Sequence, residues 1–469
     1  MNAIALRRTG LRSPAIVSIA IVGVVGLVSA GVAWAMEHAT YDTVAGVLMG
    51  IGLALISVVV MMNLSRREDD RRIARLLMVA PLLKLSATVV RFGVAFVVYD
   101  GSADSAIYHS EGIRLSEWYS QGIFNPDLGK PLVGAGLIRA ATGLLYTVTG
   151  PTQLGAYFLF SWIGFWGLYL FYRAFCLAVP EGDRYRYALL VLLLPSLLFW
   201  PSSLGKEAWM TLGLGLTALG AARVLAHARH SFITIASGVV VAGFVRPHVA
   251  AMAVVALVVA YLFRRSPKGA SITAPVGKVF GLLALGLALV LIVGQTKSLL
   301  GIDDFNADAV QNARQEVVQR TAGEAGSTFT TDDADLDASA FHIALMSVIF
   351  RPFPWEASNF QSAIAALEGL VLLGLFVTGW RRVLGALRSV VRTPYIVMCI
   401  TYTVLFTYGF SSFSNFGILT RQRVQVLPFI LVLLALPPYR GRVRDVHALL
   451  LGDTDAATAT PATATATEP

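Results

Sequence analysis

The chain has 469 residues, 56% of them hydrophobic and 14% charged, with a net charge of +9 and a mean hydropathy of +0.68. This composition excludes an ordinary soluble domain, and its long uncharged apolar runs exclude the short alternating segments of a membrane β-barrel. Lysine and arginine collect in short loops between the runs, as orientation signals rather than a nucleic-acid surface. Cys176 and Cys399, both in or beside apolar segments, suggest neither a disulfide framework nor a zinc site.

Arg7, Arg8 and Arg12 precede an apolar run over 14–36 containing Ala33-Trp34-Ala35, which resembles a signal-peptidase site. At about 23 residues the run exceeds the roughly 7–15 of a signal peptide's apolar region, so it is read as a retained first helix. A second helix is expected over 43–63. The loop SRREDDRRIAR, 65–75, is arginine-rich and therefore cytoplasmic, and a third helix over 76–99 runs outward. The stretch YDGSADSAIYHSEG, 99–112, then lies on the outer side. The segment 133–150 is short and holds Arg139, so it is expected as a helix in the outer interface.

Helices follow over 153–178, 187–203 and 207–226, with PEGDRYR, 180–186, inside and SLGKE, 203–207, as an outer turn. The apolar stretch 231–265 is too long for one span. Pro247 interrupts it and disfavours helix at Arg246, so two helices are expected to meet at Arg246-Pro247-His248 on the outer side. A helix over 279–295 leads to the polar segment 296–340. FHIALMSVIF, 341–350, is expected as an outer interfacial helix, and the final helices over 359–380, 394–410 and 424–438. The expected fold is an all-α, polytopic transmembrane helical bundle of about 12 spans with outer interfacial helices and cytoplasmic termini. It forms one domain, 1–438, with outer loops 100–132 and 296–358; the tail 439–469 is expected to be disordered.

This topology gathers Asp100, Asp104, Glu111, Lys206, Glu207, Arg246, His248, Arg351, Trp355, Glu356, Arg421 and Arg423 at the outer face. A charge inside a membrane segment costs about 2.5–3.5 kcal/mol on insertion scales, which points to a shared polar cavity. Each group also has a plainer role. Lys206 and Glu207 suit a helix start, Arg246 and His248 can snorkel, Arg421 and Arg423 can hold lipid phosphate, and Arg351 with Trp355 suits an interfacial anchor. Lys84 and Arg91 are read as an internal pair or a water-facing element. The stretch 99–112 is either a solvated turn or the seat of a carboxylate that acts as a base or binds metal.

Arginine recognises phosphate through its planar fork of donors. Carboxylates beside phosphate-binding cations on an outer membrane face fit attack by an acceptor hydroxyl on a lipid-linked phosphosugar. The carboxylate takes the hydroxyl proton and the cations stabilise the departing phosphate.

The arrangement resembles the GT-C superfamily of integral-membrane glycosyltransferases, which use polyprenyl-phosphate-linked donors. DSAIY, Asp104 to Tyr108, looks like that family's acidic motif in the first large outer loop, and 111–150 resembles the interfacial segment after it. PSLLFWPSSLGKE, 195–207, FVRPH, 244–248, and GILTRQRVQVLPF, 417–429, are similar to segments of bacterial surface-polysaccharide membrane proteins. Here the acidic loop follows the third helix rather than the first, and no soluble outer domain follows the helices.

The resemblance implies a sugar transferase of the inner (plasma) membrane with its active site on the outer face. Its partners would be a polyprenyl-phosphate sugar, a glycan or glycolipid acceptor and membrane lipids, with no nucleic acid. Asp104 is the implied base, with Asp100 as runner-up. Lys206, Arg246, His248, Arg421, Arg423 and Tyr108 would serve substrate binding, and Trp355 would stack on a sugar. Asp100 and Asp104 would hold a divalent Mg or Mn ion if the reaction uses one; no other cofactor is implied. A Wzy-like polysaccharide polymerase, centred on arginines, and a transporter or flippase of lipid-linked sugars are the competing expectations.

Overall fold

The computed structural model describes residues 40–99, 101, 104–226, 228, 231–264, 274–300, 315, 341–390, 392–413 and 415–439. The expected first helix over 14–36, Asp100, nearly all of 301–340 and the tail beyond 439 lie outside them. Among the described residues the fold is all-helical, with no β-strand. Six helices among the described residues are long and apolar enough to cross a membrane, or up to eight if each of two sharply bent pairs counts as one span. The chain is an all-helical membrane protein.

In chain order the first helices are α1 (Tyr41–Ser65), α2 (Arg71–Gly93, continued by a π-turn at Val94–Val98), α3 (Asp104–Ser120), α4 (Leu137–Thr149) and α5 (Gln153–Ala178). Next come α6 (Arg184–Leu193), α7 (Pro195–Phe199), α8 (Lys206–Leu225), α9 (Ser231–Val245), α10 (Pro247–Leu262) and α11 (Ala274–Leu300). The last are α12 (Phe341–Phe350), α13 (Phe360–Thr378), α14 (Trp380–Ser389), α15 (Pro394–Phe410), α16 (Phe416–Arg423) and α17 (Leu427–Ile430, running into a 3₁₀ turn at Leu431–Ala435).

Small residues build the centre. α5 meets α8 where a side chain on Gly215 would strike the Gly167 carbonyl at 2.4 Å, and α8 meets α9 where one on Gly238 would strike the Thr217 nitrogen at 2.4 Å. Close backbone approach of this kind is the usual source of helix association in lipid, where apolar burial between helices yields little. Buried hydroxyls satisfy themselves on the preceding turn: Thr211 donates to Glu207 O at 2.7 Å and Thr217 to Gly213 O at 2.8 Å. Apolar side chains such as Leu55 and Val59 on α1 and Leu367 and Val371 on α13 remain exposed, forming faces that suit lipid.

Three expectations are corrected. The stretch 100–132, expected as a loop, is helical over Asp104–Ser120, because Ser105, Tyr108, Gly112, Leu115 and Tyr119 form one buried helical face. That face packs antiparallel on α4, with Gly112 against Thr142 and Gly143 against Leu115. The expected helix 187–203 breaks at Leu194, whose extended backbone precedes Pro195. The expected final span 424–438 is two short turns, α17 and its 3₁₀ extension, after a bend that follows α16. The break at Arg246-Pro247 stands as expected, with Arg246 as N-cap of α10.

The bundle has two distinct ends. At one, Arg72 lies 4.7 Å over the Tyr185 ring, Arg382 is 3.7 Å from Asp183, and Arg388 lies 3.6 Å over Tyr439. α2 and its π-turn run for 28 residues from this basic end, about 40 Å at 1.5 Å per residue. At the other end the Tyr99 phenol donates to Gln361, and the starts of α3, α8, α10 and α13 gather.

Candidate functional site

The polar centre of this second end is Glu207, the second residue of α8 and only 1% exposed. Its Oε1 accepts from Arg421 Nε at 2.7 Å and from Arg246 Nη2 at 3.0 Å, and its Oε2 accepts from Arg421 Nη2 at 3.1 Å. Arg421 Nη1 then donates to Asp104 Oδ2 at 2.8 Å. Asp104, Arg421, Glu207 and Arg246 thus form one continuous chain of ion pairs.

Each member sits where an element starts or ends. Arg246 occupies the break before Pro247: its N–H donates to Ala242 O at 2.7 Å, and its carbonyl accepts from Val249 and Ala250. The break turns the side chain out of both helices towards Glu207. Arg421 lies in the last turn of α16, whose start is fixed by Asn415 Oδ1 accepting from Gly417 N at 2.9 Å and Ile418 N at 3.2 Å. Asp104 opens α3, where a carboxylate suits the helix dipole. The next residue anchors that start: Tyr157 Oη donates to Ser105 Oγ at 2.6 Å.

Glu207 and Asp104 differ in access. Glu207 is enclosed and committed to two guanidinium groups, whereas the Asp104 side chain is 56% exposed. One holds the arginines in place; the other faces the opening. Lys206 adds a third cation, half-buried and with no ion-pair partner among the described residues. Three cations, Lys206, Arg246 and Arg421, therefore stand against two carboxylates. Arg246 Nη1 is buried without a hydrogen-bond partner. A surplus of positive charge with an unspent donor is suited to an anion such as phosphate.

Tyr108, one turn after Asp104, is 5% exposed. Burial first, and then the Asp104 charge, push its phenol up to about 12, so it stays a neutral hydrogen-bonding group. Arg91 of α2 is not paired with Lys84; its guanidinium lies 4.9 Å from the Phe199 ring and 5.1 Å from the Trp200 ring. Lys84 is fully buried and donates to Leu197 O at 3.0 Å and Leu198 O at 2.8 Å, at the far end of α7. Glu368 holds the near end, accepting from Ser196 N at 2.9 Å and from Ser196 Oγ. Two opposite charges thus clamp the short helix that leads to Lys206 and Glu207.

Other expected site residues lie apart. Arg423 is fully buried and donates to Ile349 O at 2.9 Å and Arg351 O at 3.2 Å, closing the end of α12 rather than facing the cluster. His248 is half-buried, its ring 6.1 Å from Phe410. Trp355 is 79% exposed and stacks on Phe353. Glu111 pairs with Arg114 at 2.9 Å within α3 and with Arg139 of α4 at 3.8 Å, which ties the two helices together. Asp100 lies outside the described residues. Among the described residues no three His, Cys, Asp or Glu side chains come together, and Asp104 already faces a guanidinium. Of the expected metal pair, the described residues include Asp104 alone, which does not by itself fit a divalent ion. Glu207 is the member that helix capping alone would have explained away; the signal was an acid at a helix start inside an otherwise apolar stretch.

Comparison with protein-family models, with characterised proteins and with solved structures finds no match, so the site rests on its own geometry.

Proposed function

We propose that this chain is an integral-membrane glycosyltransferase. It moves a sugar from a polyprenyl-phosphate donor to a cell-surface glycan or glycolipid acceptor, on the outer face of the inner membrane, in a GT-C-like bundle of about 12 spans. The observation that carries this reading is the pre-set pair Arg246 and Arg421, held by buried Glu207 beside exposed Asp104. The gathering of arginine-rich turns at the opposite end supports the orientation.

In this mechanism the donor phosphate meets Lys206, Arg246 Nη1 and the outer edge of Arg421. Phosphate competes with Asp104 for Arg421, which frees the Asp104 carboxylate as the donor docks. Asp104 then takes the proton of the acceptor hydroxyl. The hydroxyl oxygen bonds to the anomeric carbon as the bond from that carbon to the phosphate oxygen breaks. The electron pair leaves on the lipid phosphate, where the cations stabilise it. Because Glu207 fixes the arginines beforehand, little reorganisation is needed as charge develops.

The test is transfer of a labelled sugar from a polyprenyl-phosphate pool by membranes carrying Asp104→Asn, with protein abundance measured alongside. Loss of product at wild-type abundance supports the reading. The convergence of two arginines on one carboxylate also favours a Wzy-like polymerase with a pyrophosphate donor. Unchanged product in Asp104→Asn, with loss in Arg421→Ala or Arg246→Ala, selects that polymerase. Activity retained in all three variants refutes both.

A further inference from the structure

Beside the ion-pair chain lies a cleft of about 130 Å³ between the outer end of α2, the start of α13 and the first turn of α16. An engineered cavity of about 150 Å³ takes benzene, so this cleft is of six-membered-ring size. Its walls include Tyr99, Gln361, Ser362, Asn415, Phe416 and Thr420, and none of the described lining residues carries a charge. That separates it sharply from the cluster next to it.

The cleft and the cluster share α16: Thr420 lines the cleft, and the next residue, Arg421, binds Asp104 and Glu207. The amides on the walls have fixed orientations. Gln361 Oε1 accepts from the Tyr99 phenol, and Asn415 Oδ1 accepts from Gly417 and Ile418 N–H. With both oxygens committed, the Gln361 and Asn415 NH₂ groups are the donors left, and neither has a hydrogen bond among the described residues. Two N–H donors, hydroxyl-bearing walls and two aromatic rings are suited to hydroxyl oxygens above and below an apolar ring face.

We infer that this cleft seats the sugar ring of the donor, and that the ring is an uncharged pyranose. The inference rests on the glycosyltransferase reading and deepens it: the ring sits in the neutral cleft and its anomeric phosphate reaches Arg421. A uronic acid is disfavoured because none of the described lining residues offers its carboxylate a cation, and Arg351, which lies over the Phe416 ring, is already paired with Glu356. Specificity between sugars then resides in Gln361 and Asn415, and affinity for phosphate in Arg246, Lys206 and Arg421.

The test uses the full chain in a detergent without a sugar headgroup. Saturation-transfer NMR is recorded with the methyl glycosides of a neutral hexose and of the matching uronic acid, and calorimetry with inorganic pyrophosphate. The neutral glycoside is expected to bind, with the uronate weaker by about tenfold. Gln361→Ala removes one donor and is expected to weaken the neutral glycoside by about five- to tenfold, leaving pyrophosphate binding unchanged. Gln361→Glu keeps the size and is expected to weaken the glycoside as well. Absence of glycoside binding, equal binding by wild type and Gln361→Ala, or preference for the uronate overturns the inference. Sugar transfer that persists alongside any of these sinks the sugar seat alone. Glycoside binding that depends on Gln361 in a protein without transfer activity sinks the glycosyltransferase reading and leaves the seat standing.

Discussion

Glu207→Gln removes one negative charge from between two guanidinium groups. The carboxylate accepts three hydrogen bonds, from Arg421 at 2.7 and 3.1 Å and from Arg246 at 3.0 Å. Glutamine keeps one acceptor oxygen and turns N–H groups towards an arginine. With the amide oxygen in the Oε1 position two of these bonds survive and the one at Oε2 is lost, and a hydrogen bond to a charged group contributes about 1.5–3 kcal/mol. The lost charge adds to this, and breaking a buried ion pair from one side costs about 3–5 kcal/mol in all, because the partner charge is left uncompensated. The loss is measured by reversible unfolding in mixed micelles, followed by tryptophan fluorescence. Removing both charges, Glu207→Gln with Arg421→Gln, is expected to cost less than the sum of the single losses by about 1–3 kcal/mol. A Glu207→Gln protein within about 1 kcal/mol of wild type, or a double variant that loses the full sum, would falsify the argument that Glu207 is the electrostatic anchor.

Asp104→Asn is expected to leave stability within about 1 kcal/mol of wild type in the same unfolding assay, because a half-exposed ion pair contributes little; a larger loss would make Asp104 a structural residue. Gly215→Ala places a methyl group 2.4 Å from the Gly167 carbonyl and is expected to cost about 1–3 kcal/mol. Gly286→Ala meets nothing within 4 Å and serves as the control in the same thermal-unfolding series; equal losses in the two would refute the close-packed crossing. His109 is held below its ordinary value of 6.5 by burial, so as pH falls below 6.5 the unfolded chain takes up this proton before the folded one does. Its contribution is present above pH 6.5 and is lost as pH falls below it, and His109→Gln is expected to flatten that acid limb of stability. An unchanged limb in the variant would assign it elsewhere.

The sequence made some features plain. Pro247 within an apolar stretch too long for one span marks a break, and the break is there because proline supplies no N–H to the preceding turn. The chain also leaves regular helix after Val98, and Gly101 takes a positive φ of 71°. Other features depend on contacts that no local pattern carries. Glu207 meets Arg421 across 214 positions and Arg246 across 39, so the sequence places it on the same face as these arginines but does not pair it with them. Arg421 and Arg423 look alike in sequence, yet they sit two residues apart on a short helix and point to different neighbours. One reaches the ion-pair chain and the other a set of backbone carbonyls. α3 was hidden because its buried face is made of tyrosine, serine and glycine as much as of aliphatic residues.

The clamp on α7 bears on how the protein is made. Lys84 finds its carbonyls 113 residues later, at Leu197, and Ser196 finds its carboxylate 172 residues later, at Glu368. At synthesis rates of about 5–20 residues per second, the Leu197 carbonyl emerges roughly 6–20 s after Lys84. Throughout that interval α2 holds a lone ammonium group in a membrane-spanning helix, at an insertion cost of about 2.5–3.5 kcal/mol. The nascent chain must therefore keep α2 beside water, or beside the insertion machinery, until α7 arrives. Ribosome-bound chains truncated before residue 197 should still expose Lys84 to a water-soluble amine reagent, and longer ones should bury it. The turn that delivers Lys206 and Glu207 is thus completed late, after both ends of its clamp have been synthesised.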